Sequence, residues 1–346
     1  MQNEFNYDKN LADKLTIILP LKGRPLFTIR YFLYMEAVKC PFKILIADGS
    51  LDEENKKVID ENKHRWPNVS FEYYRFPPDN TLLDFQKKMI GILGKVTTPY
   101  VMWNSNDDFY VIDTMLECVK FLEGDVKQEY VGFGGNHYRF FAINKIKKIN
   151  LIKNDFAAYN FTQNSAFERI LDQIPYKGAC CVYVVVRKST FEKTYQMTYD
   201  LQIQDLKVLE YFFVRLLLCF GKFAQKSTPI HFWNSDLNFS SASSNTPKMS
   251  MDELKKANDF LITQICQQEN LKANFVQESF NKKFKTWDWC SLLFFLSSFR
   301  WISKLKKELT FYFYSLIPQN IINKLLLKKH AKNPHATFLI KFLNNL

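Results

Sequence analysis

Three short runs limit what this chain can become: LTIILPL (15–21), FKILIAD (42–48) and PYVMWN (99–104). Each is apolar almost without interruption. A strand with one wet face alternates apolar and polar residues, whereas a strand buried on both faces does not. These runs therefore belong inside a sheet covered on both sides. VSFEYYRF (69–76) alternates and reads as the third of four strands.

Helical patterns separate them. GRP turns the chain after the first strand, and LFTIRYFLYMEAVK (26–39) follows as a helix. After the second strand comes GSLDEENKKVIDENKH, with Ser50 as its cap and acids in its first turn, where they suit the helix dipole. TLLDFQKKMIGILGKV (81–96) follows the Pro77-Pro78 break. The order βαβαβαβ predicts an α/β fold whose mainly parallel central sheet carries helices on both faces. Ligands of such sheets sit beyond the carboxyl ends of the strands. Three polar groups fall there: Lys22-Gly23-Arg24, Asp48, and Asn106-Asp107-Asp108. No GxGxxG follows the first strand and no GxxxxGK[ST] occurs, which removes the common dinucleotide and P-loop sites.

Beyond residue 110 the pattern is less regular. YVGFGG (130–135) and YRFFAI (138–143) read as short strands around Asn136-His137, and 144–173 as an insertion or acceptor loop. ACCVYVVVRK (179–188) reads as a buried strand and 201–221 as a long, mostly buried helix. KFAQKSTPIHFW (222–233) leads back to the core, 235–250 is a polar loop, and 251–268 is another helix. The seven cysteines contain no CxxC and sit in apolar surroundings, which fits buried free thiols in a reducing compartment. The mixed, acidic amino terminus does not read as a signal peptide, so a cytoplasmic location is expected.

Asp107 and Asp108 pose the sharpest chemical question. Adjacent carboxylates repel each other and resist burial. They are tolerable at the start of a helix, here IDTMLECVKFLEG, or around a cation such as Mn²⁺ or Mg²⁺, which takes hard oxygen ligands.

In order and spacing, LTIILPLKGRP, FKILIADGS and TTPYVMWNSNDDF resemble the nucleotide-sugar half of GT-A glycosyltransferases, in particular the family 2 type. The resemblance extends over about residues 14–235. It implies a donor site at Pro20, Lys22, Arg24, Asp48 and Asp107, with Asp48 on the nucleotide base. It implies a DxD-like metal motif at Asp108 and Asn106, the latter standing where the family has an acid, and a further metal or phosphate contact at His231. A structural role for His231 stays open, and Arg24 equally suits the turn. YKGACCVYVVVRKSTF resembles the family's acceptor segment, which brings in Lys177 and Gly178. Gln204-Asp205 stands where the family carries Glu-Asp, implying Asp205 as the catalytic base. A helix-capping role for Asp205 also stays open.

The domains implied are a GT-A unit over 1–235, with a donor half (14–110) and an acceptor half (111–235), then a loop and helix (236–280) and a tail (281–346). The activity implied is inverting, metal-dependent transfer of a sugar from a nucleotide-diphosphate donor, UDP-sugar favoured. The acceptor implied is a hydroxyl of a growing or lipid-linked surface glycan of capsule or lipopolysaccharide type. Two alternatives stand beside it. One is a degenerate scaffold, because Asn106 and Gln204 replace acids. The other is a sugar-nucleotide nucleotidyltransferase, although the glycine-rich basic loop of such enzymes is missing.

The tail carries most of the formal charge of +12, with twelve Lys or Arg against Asp288 and Glu308. The rest of the chain is nearly neutral and shows no nucleic-acid module, so no nucleic-acid partner is expected. Trp, Phe and Leu clusters alternate with lysines in the tail. This suits helices lying on the cytosolic face of the inner membrane, making the protein peripheral there. The charge-free stretches are too short or too broken by Pro318 to span a bilayer. The alternative is a helical subdomain that packs these aromatics on the body.

Overall fold

The computed structural model describes residues 7–143, 148–156, 159–174, 182–234, 249–283, 324 and 327–345. Its centre is one nine-stranded mixed sheet. The strands are β1 (Leu15–Leu21), β2 (Lys43–Asp48), β3 (Phe71–Arg75), β4 (Tyr100–Trp103), β5 (Phe109–Tyr110), β6 (Tyr130–Ile143), β7 (Lys148–Phe156), β8 (Val185–Arg187) and β9 (Lys222–Asn234). They lie in the order β3-β2-β1-β4-β8-β6-β9-β5, with β7 paired to β6. The pairs among β3, β2, β1 and β4 are parallel. Beyond β4 the sheet becomes mixed: β8 runs antiparallel to both β4 and β6, β9 is parallel to β6, and β5 is antiparallel to β9.

The helices are α1 (Lys9–Ala12), α2 (Pro25–Ala37), α3 (Glu54–Asn62), α4 (Leu82–Leu93), α5 (Ile112–Gly124), α6 (Ala166–Gln173), α7 (Lys188–Asp200), α8 (Leu206–Phe220), α9 (Met251–Glu269), α10 (273–283) and α11 (Pro334–Asn345). Successive strand side chains point to opposite faces. In β1, Ile17 and Leu19 join one core with Tyr31, Met35 and Met115, while Ile18 joins the other with Met89, Val214 and Leu216. Two buried faces explain the unbroken apolar runs.

Several expectations change. Ser50 does not cap α3, which starts at Glu54 without a side-chain cap; its hydroxyl is drawn instead to Asp48. Residues 130–143 form one long strand rather than two, with register shifts near Asn136 and His137. A Cβ at Gly135 would meet Thr228 O at 2.5 Å, so the glycine is what lets β6 close onto β9 there. The region read as an insertion contains β7 and α6. The strand expected over 179–188 is confined to 185–187 in the described residues, because Lys188 already starts α7. Cys40, Cys118, Cys219 and Cys266 are free thiols, as read.

Part of the basic tail belongs to the body. Ala336, Leu339, Ile340 and Leu343 of α11 are buried in the first core. Phe342 meets the rings of Tyr34 at 5.3 Å and Phe109 at 6.1 Å. For this helix the packing alternative holds. Residues 284–323, with the longest aromatic stretches, lie outside the described residues. Among the described residues no helix is long and apolar enough to cross a membrane.

Candidate active site at the strand carboxyl ends

The site starts at the turn after β1. Gly23 (φ 65°) and Arg24 (φ 63°) both adopt left-handed backbone, followed by Pro25 as the first residue of α2. A non-glycine residue there costs on the order of 1–2 kcal/mol. The strained turn aims the Arg24 guanidinium at Asp107, with Nη1 2.8 Å from Oδ2. Ser105 donates to the other oxygen of Asp107.

Arg30, six residues further on and almost fully buried, donates from Nη2 to the Asp107 carbonyl at 2.5 Å. Its Nε and Nη1 find no hydrogen-bond partner, and its guanidinium lies over the rings of Phe27 and Phe109. Burial lowers its pKa to about 10 against the opposing pull of Asp107 and Asp108. The two guanidiniums thus supply positive charge beside the adjacent acids. The helix-start explanation fails, because α5 begins only at Ile112 with Val111 as its cap.

Asp108 is nine-tenths buried or more. Oδ1 accepts from the Asn234 N–H at 2.8 Å, and Oδ2 lies 2.9 Å from His231 Nε2. Burial raises the Asp108 pKa to about 7, offset in part by the Asn234 N–H, Arg30 and Arg24. Burial lowers that of His231 to about 3, so its imidazole is neutral at pH 7. The ring is stacked between Tyr110 (4.8 Å) and Tyr183 (4.5 Å), and its Nδ1 lies 3.1 Å from Nδ1 of His137. β9 carries both His231 and Asn234 to Asp108, because Tyr110 pairs with His231 in the β5–β9 ladder.

A carboxylate and an imidazole are both types of group that bind divalent cations, and here they bond to each other. Among the described residues no group of three His, Cys, Asp or Glu could hold a metal ion. Asn106 turns its amide nitrogen elsewhere, to Thr28 Oγ1 at 3.0 Å.

From Asn106 a buried chain of hydrogen bonds crosses beneath the strand ends. Thr28 donates to Asn55, Asn55 donates to Ser50, and Ser50 donates to Asp48. Asp48 also accepts from the Tyr73 hydroxyl at 2.6 Å and pairs with Arg75 at 3.2 Å. Lys22 donates to the Asp79 carbonyl at 2.6 Å. Beside it lies a buried ion pair, Lys88 with Asp79, which sequence reasoning missed. Burial pushes both towards their neutral forms, and each holds the other charged. A Cβ at Gly49 would meet Asp79 Oδ1 at 2.5 Å. Pro20 sits in β1 opposite Ala47.

Asp205 stands apart as the N-cap of α8. It accepts from the N–H groups of Lys207, Val208 and Ser250, while Glu253 receives the N–H groups of Gln204 and Asp205. Lys177 and Gly178 lie outside the described residues.

The missed arginine and lysine had a sequence signal. Arg30 interrupts the aromatic face of α2 between Phe27 and Tyr34, and Lys88 shares the i, i+3, i+4, i+7 face with Phe85, Met89 and Ile92. A charge at a core position marks a partner to be found.

No family model matches the chain, and no curated protein does. Among solved structures it is similar to S. aureus TarS, at 9% identity and a TM-score of 0.48, over 78% of this chain and 43% of that chain. It is also similar to S. aureus TarS 1-349 in complex with UDP-GlcNAc, at 12% identity and a TM-score of 0.48, over 78% of this chain and 71% of that chain. The complex of the same fragment with UDP matches at 11% identity and a TM-score of 0.45, over 78% of this chain and 70% of that one. This chain spans less than half the length of the first of these.

Proposed function

We propose that this chain is a glycosyltransferase that moves a sugar from a nucleoside-diphosphate donor, a UDP-sugar in the first instance, to a hydroxyl of a glycan acceptor. The observation that carries the reading is the meeting of Arg24, Asp107, Asp108 and His231 at the carboxyl edge of β1 and β4, where α/β sheets bind ligands. Lys22 and Arg24 flank the space for an anionic diphosphate. Asp48, at the end of β2, and Tyr73 of β3 border the nucleoside side.

Asp108 and His231 would hold a Mn²⁺ or Mg²⁺ ion, whose chemistry is to neutralise the departing diphosphate. The protein's own part is to keep that carboxylate and neutral imidazole buried and oriented, with Arg24 fixing Asp107 beside them. The proton-accepting carboxylate comes from the region around α8, where the resemblance placed Asp205. Inversion at the anomeric carbon, a surface-glycan acceptor and attachment of the tail to a membrane surface complete the proposal.

Calorimetric titration of UDP, GDP, CDP and dTDP, each with and without Mn²⁺, tests it. One diphosphate binds with Mn²⁺, and Asp108→Ala weakens that binding at least about tenfold, or roughly 1.4 kcal/mol. If none of the four binds, the donor site does not exist and the scaffold alternative takes its place.

A further inference from the structure

The two sides of α11 have different surroundings. On one side Ala336, Leu339, Ile340 and Leu343 recur at helical spacing and are buried in the first core. Phe342 lies against Tyr34 and Phe109, and Phe338 meets Tyr34 at 6.3 Å. The body takes up the apolar side of the helix, and none of it is left to enter a bilayer.

The outer side carries charge. Lys341 follows Ala336 by five residues, which puts it opposite the buried positions, and it is exposed. Lys324, Lys328, Lys329 and Lys332, ahead of the helix, are exposed as well. None of the five makes an ion pair with a described residue. On the body, by contrast, Lys14, Lys43, Lys56 and Lys226 each sit beside an acid. The sequence offers the five no local acid, since 309–346 contains neither Asp nor Glu. Across from α11, Asp113 and Glu117 of α5 act on His335, and Glu117 is already paired with Lys226 at 2.8 Å.

We propose that Lys324, Lys328, Lys329, Lys332 and Lys341 form a surface that docks on the anionic headgroups of a lipid membrane, by charge and without insertion of α11. Each lysine near such a surface contributes roughly fivefold in affinity, falling off within a Debye length. The rest of the chain is nearly neutral and has no nucleic-acid module, which favours a lipid surface over a polynucleotide. The position of the patch suits the candidate site. The Phe109 ring that meets Phe342 of α11 also lies under the Arg30 guanidinium at 4.8 Å, and Arg30 holds the Asp107 carbonyl. Docking through α11 therefore keeps the strand carboxyl ends near the lipid. The assignment rests on the glycosyl-transfer reading only for its purpose, which is to bring a lipid-linked acceptor within reach.

The test is flotation of the full chain with vesicles of phosphatidylcholine alone and of an equimolar mixture with phosphatidylglycerol, at low and high salt. The chain floats with the mixed vesicles at low salt, and high salt or omission of phosphatidylglycerol releases it. Lys328→Gln, Lys329→Gln and Lys332→Gln combined weaken binding on the order of 10²-fold. Lys57→Gln, Lys63→Gln and Lys127→Gln combined remove the same charge from exposed positions elsewhere, and binding stays within about twofold. No flotation with either vesicle, unchanged binding of the first triple variant, or equal weakening by both overturns the assignment. Binding to phosphatidylcholine alone that salt does not reverse also overturns it, because that is insertion. A single-stranded oligonucleotide bound through the same lysines more tightly than the mixed vesicles makes the partner a nucleic acid and has the same result. UDP titration with Mn²⁺ is read separately: flotation without UDP binding removes the glycosyl-transfer reading and leaves the docking surface standing.

Discussion

The two halves of the sheet solve different problems. In the parallel half, β3-β2-β1-β4, the polar residues at the strand ends satisfy one another. Asp48, Ser50, Asn55, Thr28 and Asn106 form one buried chain, and Lys88 pairs with Asp79. In the mixed half, β8-β6-β9-β5, single residues are delivered over long distances along the chain: His231 and Asn234 reach Asp108 from more than 120 residues away. The first half is a prebuilt cradle, and the second brings groups to it. A cradle stiffened by its own hydrogen bonds costs little to organise when a ligand arrives.

The largest effect is expected where the cradle is electrostatically tight. Lys88→Ala leaves Asp79 buried without its partner and costs about 3–5 kcal/mol of stability in denaturant titration. A loss below about 1 kcal/mol would mean that the parallel half is not held by its ion pair. Next comes the seam between the halves, where α11 rests on Tyr34 of α2 and Phe109 of β5. Leu339→Ala, at a buried position, costs about 2–5 kcal/mol. If the measured cost is negligible, α11 is a passenger rather than a clasp.

Asp205→Ala removes a helix cap and lowers stability by about 1 kcal/mol. Unchanged turnover in that variant would keep its role structural, whereas a loss of about 10²–10⁴-fold in kcat would make Asp205 the base.

The smallest effect is on acid stability. Burial lowers the His335 pKa, with Asp113 and Glu117 opposing. A histidine held below its ordinary value favours the fold above the unfolded pKa of about 6.5, and that contribution is lost as pH falls through the lower folded value. Amide exchange in α11 should therefore speed up below about pH 6 more than exchange in α2. Equal acceleration in both would deny the seam any pH sensitivity of its own.

The same contrast explains what could be read in advance. The strands β1, β2 and β4 were legible because burial on both faces leaves a simple signal, and the polar clusters at their ends followed from topology. The mixed half hid its pairing. Nothing local in Tyr130–Ile143 announces a single 14-residue strand, because its continuity comes from β7 and β9 alongside it. Asp107 and Asp108 stand out in the sequence as a problem, and Arg24 lies in the turn that topology brings beside them, whereas Arg30 looks like an ordinary helical residue until its face is known. Ser50 carried the local signature of a cap, yet a buried Asp48 competed for it and won.

Asp108, His231 and His137 are joined by two contacts in series. With Asp108 ionised, His231 donates from Nε2 and its Nδ1 accepts from His137 Nδ1. Burial raises the Asp108 pKa to about 7. Once it carries a proton it donates to Nε2, His231 donates from Nδ1, and His137 becomes the acceptor. One proton at the carboxylate thus reverses the polarity of the whole chain and moves the N–H of both rings to the opposite nitrogen.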